Sequence, residues 1–368
     1  MRRTLFSFRI LSFRIMTLSL LAPILAAIGL SGWAQEVTPA LYRSLEYRYI
    51  GPVGNRISAV AGVPGDPLVY YAGSASGGIF KSADGGVTWA PIFDDQPVSS
   101  IGALAVAPSN PNIVWAGTGE SWIRSHISLG MGVYKSTDAG KKWKLMGLEE
   151  TGRIARVVID PKNPDIVFAA AMGHSYGPQQ ERGLFRTTDG GQTWRRVLFV
   201  DENTGCSDVV MDPSNPQILF AGMWQFEIHT WRQMSGGPGS GIFMSRDGGS
   251  TWARLNGHGL PEQEELGKIG LAIAPGNPRR IYAIIETGTG EPWKGKTTAS
   301  GYLWRSDDGG EKWKQMTPSH DVGGRTHYYS RMAIEPDNEN QLYFLTASYS
   351  RSDDGGATLR VMRGYPDT

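Results

Sequence analysis

Six copies of one short pattern divide this chain at near-regular intervals. Ser82-Ala83-Asp84-Gly85-Gly86-Val87-Thr88-Trp89 is the first, and Ser136–Trp143, Thr187–Trp194, Ser245–Trp252 and Ser306–Trp313 repeat it. Ser352–Leu359 is the sixth, with Leu359 where the others carry Trp. The shared frame is Ser/Thr-x-Asp-x-Gly-x-x-Trp. Each copy closes one strand-like run (GIFKS, GVYKS, GLFRT, GIFMS, YLWRS) and opens another. A tight hairpin loop needs positive φ, which glycine adopts at least cost. The second copy has Ala139 before Gly140, so the second glycine is expected to be the essential one. The Asp carboxylate can accept backbone N–H bonds across such a turn. The Trp ring is expected to pack against the next sheet.

The box aspartates, Asp84, Asp138, Asp189, Asp247, Asp308 and Asp354, recur every 46 to 61 residues. Between them a second phrase repeats: AVAPSNPNIVWAG, VIDPKNPDIVFAA, VMDPSNPQILFAG and AIAPGNPRRIYAI. Each is a strand, a Pro/Asn turn and a strand. A period of this size built from strands means propeller blades, so the expected fold is an all-β propeller of six visible Asp-box blades. The box aspartates are expected to be structural. High Gly (48) and Trp (12) without helical periodicity fit an all-β chain.

A net charge of +1, without basic clusters beyond the extreme N-terminus, argues against a nucleic-acid partner. Arg2, Arg3, Arg9 and Arg14 precede an apolar run from Ile15 to Leu30, and Gly32-Trp33-Ala34 follows as a small-x-small cleavage site. Residues 1–34 therefore read as a signal peptide, the propeller as 35–368, and the location as secreted or periplasmic, with no membrane partner after cleavage. Met16 is an alternative start. Cys206, the only cysteine, excludes an internal disulfide and reads as a buried thiol. No zinc pattern, Gly-x-Ser-x-Gly or phosphate loop is present, so no metal and no cofactor is expected. The Gly-rich run 236–241 joins two strands and reads as a flexible loop.

Four antiparallel strands, A to D from the axis outward, put the A–B turns and the Asp boxes at one end of each blade. The B–C and D–A loops share the other end. That end carries the irregular sequence: residues 117–131, 171–182, 222–240, 286–300 and 319–331. Binding residues concentrate on such loops over a rigid scaffold. The candidates are Glu120, Trp122, Arg124 and His126; His174, Tyr176 and Arg182; Trp224, Trp231 and Arg232; and Arg325, His327 and Tyr328.

The chain resembles bacterial secreted Asp-box proteins with a sortilin/VPS10-type N-terminal propeller. Tyr49-Ile50-Gly51-Pro52, Gly117-Thr118-Gly119-Glu120, Gly173-His174 with Tyr176-Gly177-Pro178, and Ser235–Gly241 carry the resemblance. Such proteins are often described as glycosyl hydrolases on the strength of their boxes. The receptors of that type bind peptides inside a propeller tunnel. The first blade, Val69–Phe80, is also similar to the xyloglucanase type of propeller hydrolase. That family places a catalytic Asp just before the Gly-Gly pair, where this chain has Ala75-Ser76. The sialidase Arg-Ile/Leu-Pro motif is missing, with Arg153-Ile154-Ala155 instead. The expected function is therefore a non-catalytic propeller that binds a peptide or glycan through the irregular end. The alternative is a secreted glycoside hydrolase whose carboxylates lie elsewhere. Finally, Glu46–Gly51 reads as a D strand without a blade, which implies blades missing from a larger ring.

Overall fold

A computed structural model describes residues 56–123, 128–262, 265–287, 302–317, 322, 326–346 and 349–362. The expected leader and the Glu46–Gly51 strand lie outside these. The fold is the expected all-β propeller of six blades, each a four-stranded antiparallel sheet in sequence order.

Blade one is β1 (Ile57–Val63), β2 (Asp66–Ser74), β3 (Ile79–Ser82) and β4 (Ala90–Pro91). Blade two is β5 (Ile101–Val106), β6 (Val114–Thr118), β7 (Val133–Ser136) and β8 (Lys144–Leu145). Blade three is β9 (Ile154–Ile159), β10 (Val167–Ala171), β11 (Gly183–Thr187) and β12 (Arg195–Leu198). Blade four is β13 (Thr204–Met211), β14 (Leu219–Ile228), β16 (Gly241–Ser245) and β17 (Ala253–Arg254), with an extra strand, β15 (Gln233–Ser235), paired to β14. Blade five is β18 (Leu266–Ile273), β19 (Ile281–Thr287), β20 (Tyr302–Ser306) and β21 (Lys314–Thr317). Blade six is β22 (Arg331–Glu335), β23 (Asn338–Leu345), β24 (Tyr349–Ser352) and β25 (Arg360–Val361).

The first strands stand side by side around the axis, β1 beside β5, β5 beside β9, and on to β18 beside β22. Apolar clusters then fill the wedges between successive blades. Ile101, Tyr71 and Phe93 join blades one and two, and Trp115 and Ile154 join two and three. Phe168 and Val209 join three and four, Phe220 and Ile269 join four and five, and Tyr282 and Phe344 join five and six.

The Asp box forms one shared core of hydrogen bonds in each blade, with a further Thr hydroxyl donor in boxes one, three, four and six, where boxes two and five carry Lys142 and Lys312. In box three, Thr187 Oγ1 donates to Asp189 Oδ1 at 2.7 Å and accepts from the Gly191 N–H at 2.9 Å. Asp189 also accepts from the Thr193 N–H and hydroxyl, at 2.9 and 2.6 Å. These donors hold the carboxyl well below the usual carboxylate range. The Thr88 and Ser82 donors do the same for Asp84, to about 2. The box also ties back to its own A–B turn, as where the Gly190 N–H donates to Asp165 O at 3.0 Å. Boxes and A–B turns therefore share one end, as the strand order requires.

The box reaches sideways too. Lys135 of blade two donates to Gly190 O at 3.0 Å, and Trp115 of blade two lies under Gly191. A Cβ on Gly191 would stand 2.5 Å from Trp115 Cη2. Lys81 with Tyr71 and Arg186 with Phe168 meet boxes two and four in the same way, whereas at box six Arg305 donates to Gly355 O, the Tyr282 hydroxyl lies by Gly355, and Leu303 takes the place under Gly356. Met244 replaces the cation in blade four, where Phe220 still meets Gly310 and Arg246 pairs with Glu311. The box tryptophans correct one expectation. Trp143 and Trp194 donate Nε1 to Ile92 O and Met146 O, so they lean on the preceding blade, not the next. Trp89, in the first of the described blades, is 43% exposed.

Box positions one and two thus differ in kind. Ala139 adopts φ 59° at the first, while Gly140 keeps φ 89° at the second. Gly190→Ala is expected to cost about 1 kcal/mol, the left-handed backbone term. Gly191→Ala adds overpacking against Trp115 and is expected to cost about 3 kcal/mol. Urea unfolding of the two variants checks the order, and equal losses would refute it.

Candidate functional site

At the irregular end, side chains of several blades meet. Trp122, from the blade-two B–C loop, donates Nε1 to Ser58 O of blade one at 3.2 Å. Its ring meets Tyr328 and Tyr329, before blade six, edge-on at 5.6 and 5.5 Å. One side chain thus bridges blades one, two and six. Beneath it, Lys268 on β18 is buried and donates to the carbonyls of Ser121, His327 and Tyr328 at 3.3, 3.4 and 3.3 Å. Burial pushes its ammonium down to about 7.

Two more charged groups complete this layer. Asp208 on β13 pairs with Arg156 and Arg331, each at 3.1 Å, and accepts from the Leu271 N–H at 2.9 Å. Glu286 on β19 accepts from Ser235 Oγ at 2.6 Å and from the Lys268 N–H at 2.9 Å. Burial pushes its carboxyl up. The space lined by Ser121, Trp122, Ser207, Lys268, Tyr328, Ser330 and Arg331 has no room for a water-sized molecule. This space is therefore a plug of paired charges and rings.

The candidate residues fall into three groups. Tyr176, Trp231 and Arg232 are open, with Tyr176 61% and Trp231 81% exposed. Trp231 stacks on His229 at 5.0 Å, and His229 pairs with Glu227 at 2.9 Å. Glu120 is buried and pairs with Arg56 at 2.8 Å, while Trp122, His327 and Tyr328 belong to the plug. His174 packs beside Gly152, and burial pushes its imidazole down. Arg124, His126 and Arg325 lie outside the described residues.

Trp224 and Arg182 are interior, which corrects their reading as open loop residues. The supposed loop 222–240 begins as strand, because β14 runs on to Ile228 and pairs with β15. Trp224 sits on it, stacked on Phe226 at 4.3 Å and donating to Ser235 Oγ at 3.0 Å. Arg182 donates to the carbonyls of His174, Gly177 and Phe226 at 2.7, 3.0 and 3.2 Å. The Gly-rich run is tightly seated as well: the buried Ser240 accepts from the Gln225 N–H at 2.9 Å.

Sequence reasoning missed the buried Lys268, Asp208 and Glu286, and a groove at this end as well. A groove of about 720 Å³ opens between blades four and five, lined by Pro238, Arg254, Asn256, Leu260, Glu262 and Glu265 among others. The turn-rich run Asn256–Pro261, followed by Glu262, was its only trace in the sequence.

Comparison with known proteins places this geometry. Residues 131–260 match the Sortilin-Vps10 family model, described as "Sortilin, neurotensin receptor 3". Over that stretch the scaffold is similar to the sortilin/Vps10-type propeller. A xyloglucanase of Paenibacillus sp is 25% identical over 341 residues, 81% of this chain and 30% of the relative. A xyloglucanase of Hypocrea jecorina is 26% identical over 84% of this chain and 38% of the relative. The chain thus spans about a third of the length of the relatives it matches. In fold, it is similar to the Niastella koreensis GH74 enzyme, with a TM-score of 0.57, 19% identity, and coverage of 84% of this chain and 45% of that one. The expectation of a non-catalytic binder, and of no enzyme, is overturned by these relatives. Over four-fifths of this chain, the proteins matched are glycoside hydrolases by name.

Trp224→Ala is expected to cost about 3–5 kcal/mol, as truncation of a buried aromatic does. Trp231→Ala is expected to leave stability within about 0.5 kcal/mol. Chemical denaturation of both distinguishes an interior ring from an open one.

Proposed function

We propose that this chain is a propeller unit of a glycoside hydrolase acting on a xyloglucan-type polysaccharide, which it seats on the irregular end. The single observation that carries this reading is the alignment with xyloglucanases along 81% and 84% of the chain. The surface chemistry suits such a ligand. Trp231 offers a flat ring, held by His229 and open to solvent, on a hairpin that projects from blade four. Tyr176 and Arg232 stand open at the same end of the blades, and the groove of blades four and five adds Glu262 and Glu265. Sugars stack on such rings, and carboxylates serve glycosidic cleavage in pairs. Among the described residues, the buried carboxylates of this end are committed elsewhere: Glu120 to Arg56, Asp208 to two arginines, Glu286 to Ser235 and Lys268. Ala75-Ser76, at the position of the family's catalytic Asp, makes the groove carboxylates the better acids for this chain. A polysaccharide substrate also agrees with an exported protein, secreted or periplasmic, with residues 1–34 as leader. Blades beyond the sixth belong to the same proposal.

Native gels cast with xyloglucan test the reading on the 35–368 chain. Retardation by xyloglucan and not by starch is expected, with affinity reduced about five- to tenfold in Trp231→Ala. New reducing ends are expected from xyloglucan, and fewer from Glu262→Gln and Glu265→Gln. Unretarded migration together with no release of reducing ends would overturn it.

A further inference from the structure

Two arginines of blade three are buried without a carboxylate partner. Arg153, at the entry to β9, and Arg182, just before β11, are at most 1% exposed. Among the described residues neither forms an ion pair, and backbone carbonyls receive them instead. Arg153 donates Nη1 to Gly173 O at 3.1 Å. Arg182 donates Nη2 to His174 O and Gly177 O at 2.7 and 3.0 Å, and Nη1 to Phe226 O at 3.2 Å and to Asn203 O. Gly173 and His174 are adjacent, so one short loop segment brings the two guanidinium groups together. A Cβ on Gly173 would stand 3.0 Å from Arg182 Nε.

Three donors of this cluster have no partner. Arg153 Nε, Arg182 Nε and Ser175 Oγ are buried and form no hydrogen bond among the described residues. Ser175 lies between His174 and Gly177, whose carbonyls hold Arg182. A buried donor left unmade is costly, and a buried cation without an opposite charge is more so. The electrostatics agree. Burial pushes both guanidinium groups down to about 10, and the Arg153 charge adds to the effect on Arg182. His174, packed beside Gly152, is pushed down by burial and by the same Arg153 charge. The carboxylates within electrostatic reach, Glu120, Asp201 and Glu227, are engaged by Arg56, the Thr204 hydroxyl and His229.

We infer that Arg153, Arg182 and Ser175 form a buried site for a small inorganic anion of the halide class, chloride foremost. The donors are closed to solvent, which favours a monatomic ion over a phosphate or a sugar carboxylate. A halide also accepts from guanidinium N–H and hydroxyl groups in any direction. The ion would offset two buried positive charges and tie the entry of β9 to the loop before β11. Through the Arg182 bonds to Asn203 O and Phe226 O, it would brace β14 of blade four as well. The inference is independent of the polysaccharide reading, since both guanidinium groups are closed to a sugar.

Thermal unfolding of the full chain in about 0.15 M sodium chloride, against sodium gluconate at the same ionic strength, tests the site. The melting temperature is expected to be about 3 °C higher in chloride, because an ion that binds only the folded state stabilises it. Bromide is expected to give the same gain. The gain is expected to vanish in Arg153→Met and to shrink in Ser175→Ala. Two further readings need no variant. In an NMR titration, His174 is expected to take up its proton at higher pH in chloride than in gluconate, because the ion offsets the Arg153 charge beside it. In bromide-soaked crystals, anomalous scattering is expected to place a bromide in contact with Arg153 Nε and Arg182 Nε. Equal melting temperatures in the two salts, or a gain that persists in Arg153→Met, would overturn the inference. So would an unmoved His174 titration, or bromide bound only at other places.

Discussion

The structure depends on one contact made repeatedly: an Asp-box turn pressed against the ring and cation of the blade before it. A four-stranded blade alone has two apolar faces and little to hold it. The box solves this at the blade's outer corner. Its Ser/Thr and Asp side chains satisfy the turn internally, so the backbone carbonyl of its first left-handed residue is free to accept from the neighbour's Lys or Arg. The second glycine, with no Cβ, lets the neighbour's aromatic ring come into contact. The inter-blade clusters then bury the wedges, and the chain needs no disulfide.

The consequence is a division of labour between the two ends. The box end is uniform because each blade must meet the next in the same way. The opposite end is free to vary, and there one second strand, β14, runs past its sheet to pair with β15. This extension lifts Trp231 into solvent while keeping Trp224 inside. Between them, the Lys268 and Asp208 clusters tie segments of different blades together, and the space they line has no room for a water-sized molecule.

Much of this was legible in the sequence because the box is a local device. Its hydroxyl residue, Asp, second Gly and period suffice to give blades, strand order and the end on which loops collect. Ala139 even separated the two glycine positions. Side-chain placement was less legible. Trp224 and Trp231 sit in one irregular segment, and only the pairing of β14 with β15 tells the interior ring from the open one. Lys268 and Glu286 were invisible because they lie on strands that otherwise read as apolar core. The direction in which a box Trp leans is likewise set by the neighbouring blade and not by the motif. The functional reading failed for another reason. Ala75-Ser76 removes one expected carboxylate, yet a single position does not decide the chemistry of a whole face.

A double-mutant cycle across the blade-two and blade-three interface tests the central contact most directly. Trp115→Leu makes room where Gly191→Ala inserts a methyl group 2.5 Å from Trp115 Cη2. The two changes are expected to couple, with Gly191→Ala costing about 1–2 kcal/mol less in the Trp115→Leu background than in the native one. Additivity within about 0.3–0.5 kcal/mol would contradict the account, because the box would then be a turn and not a clasp between blades.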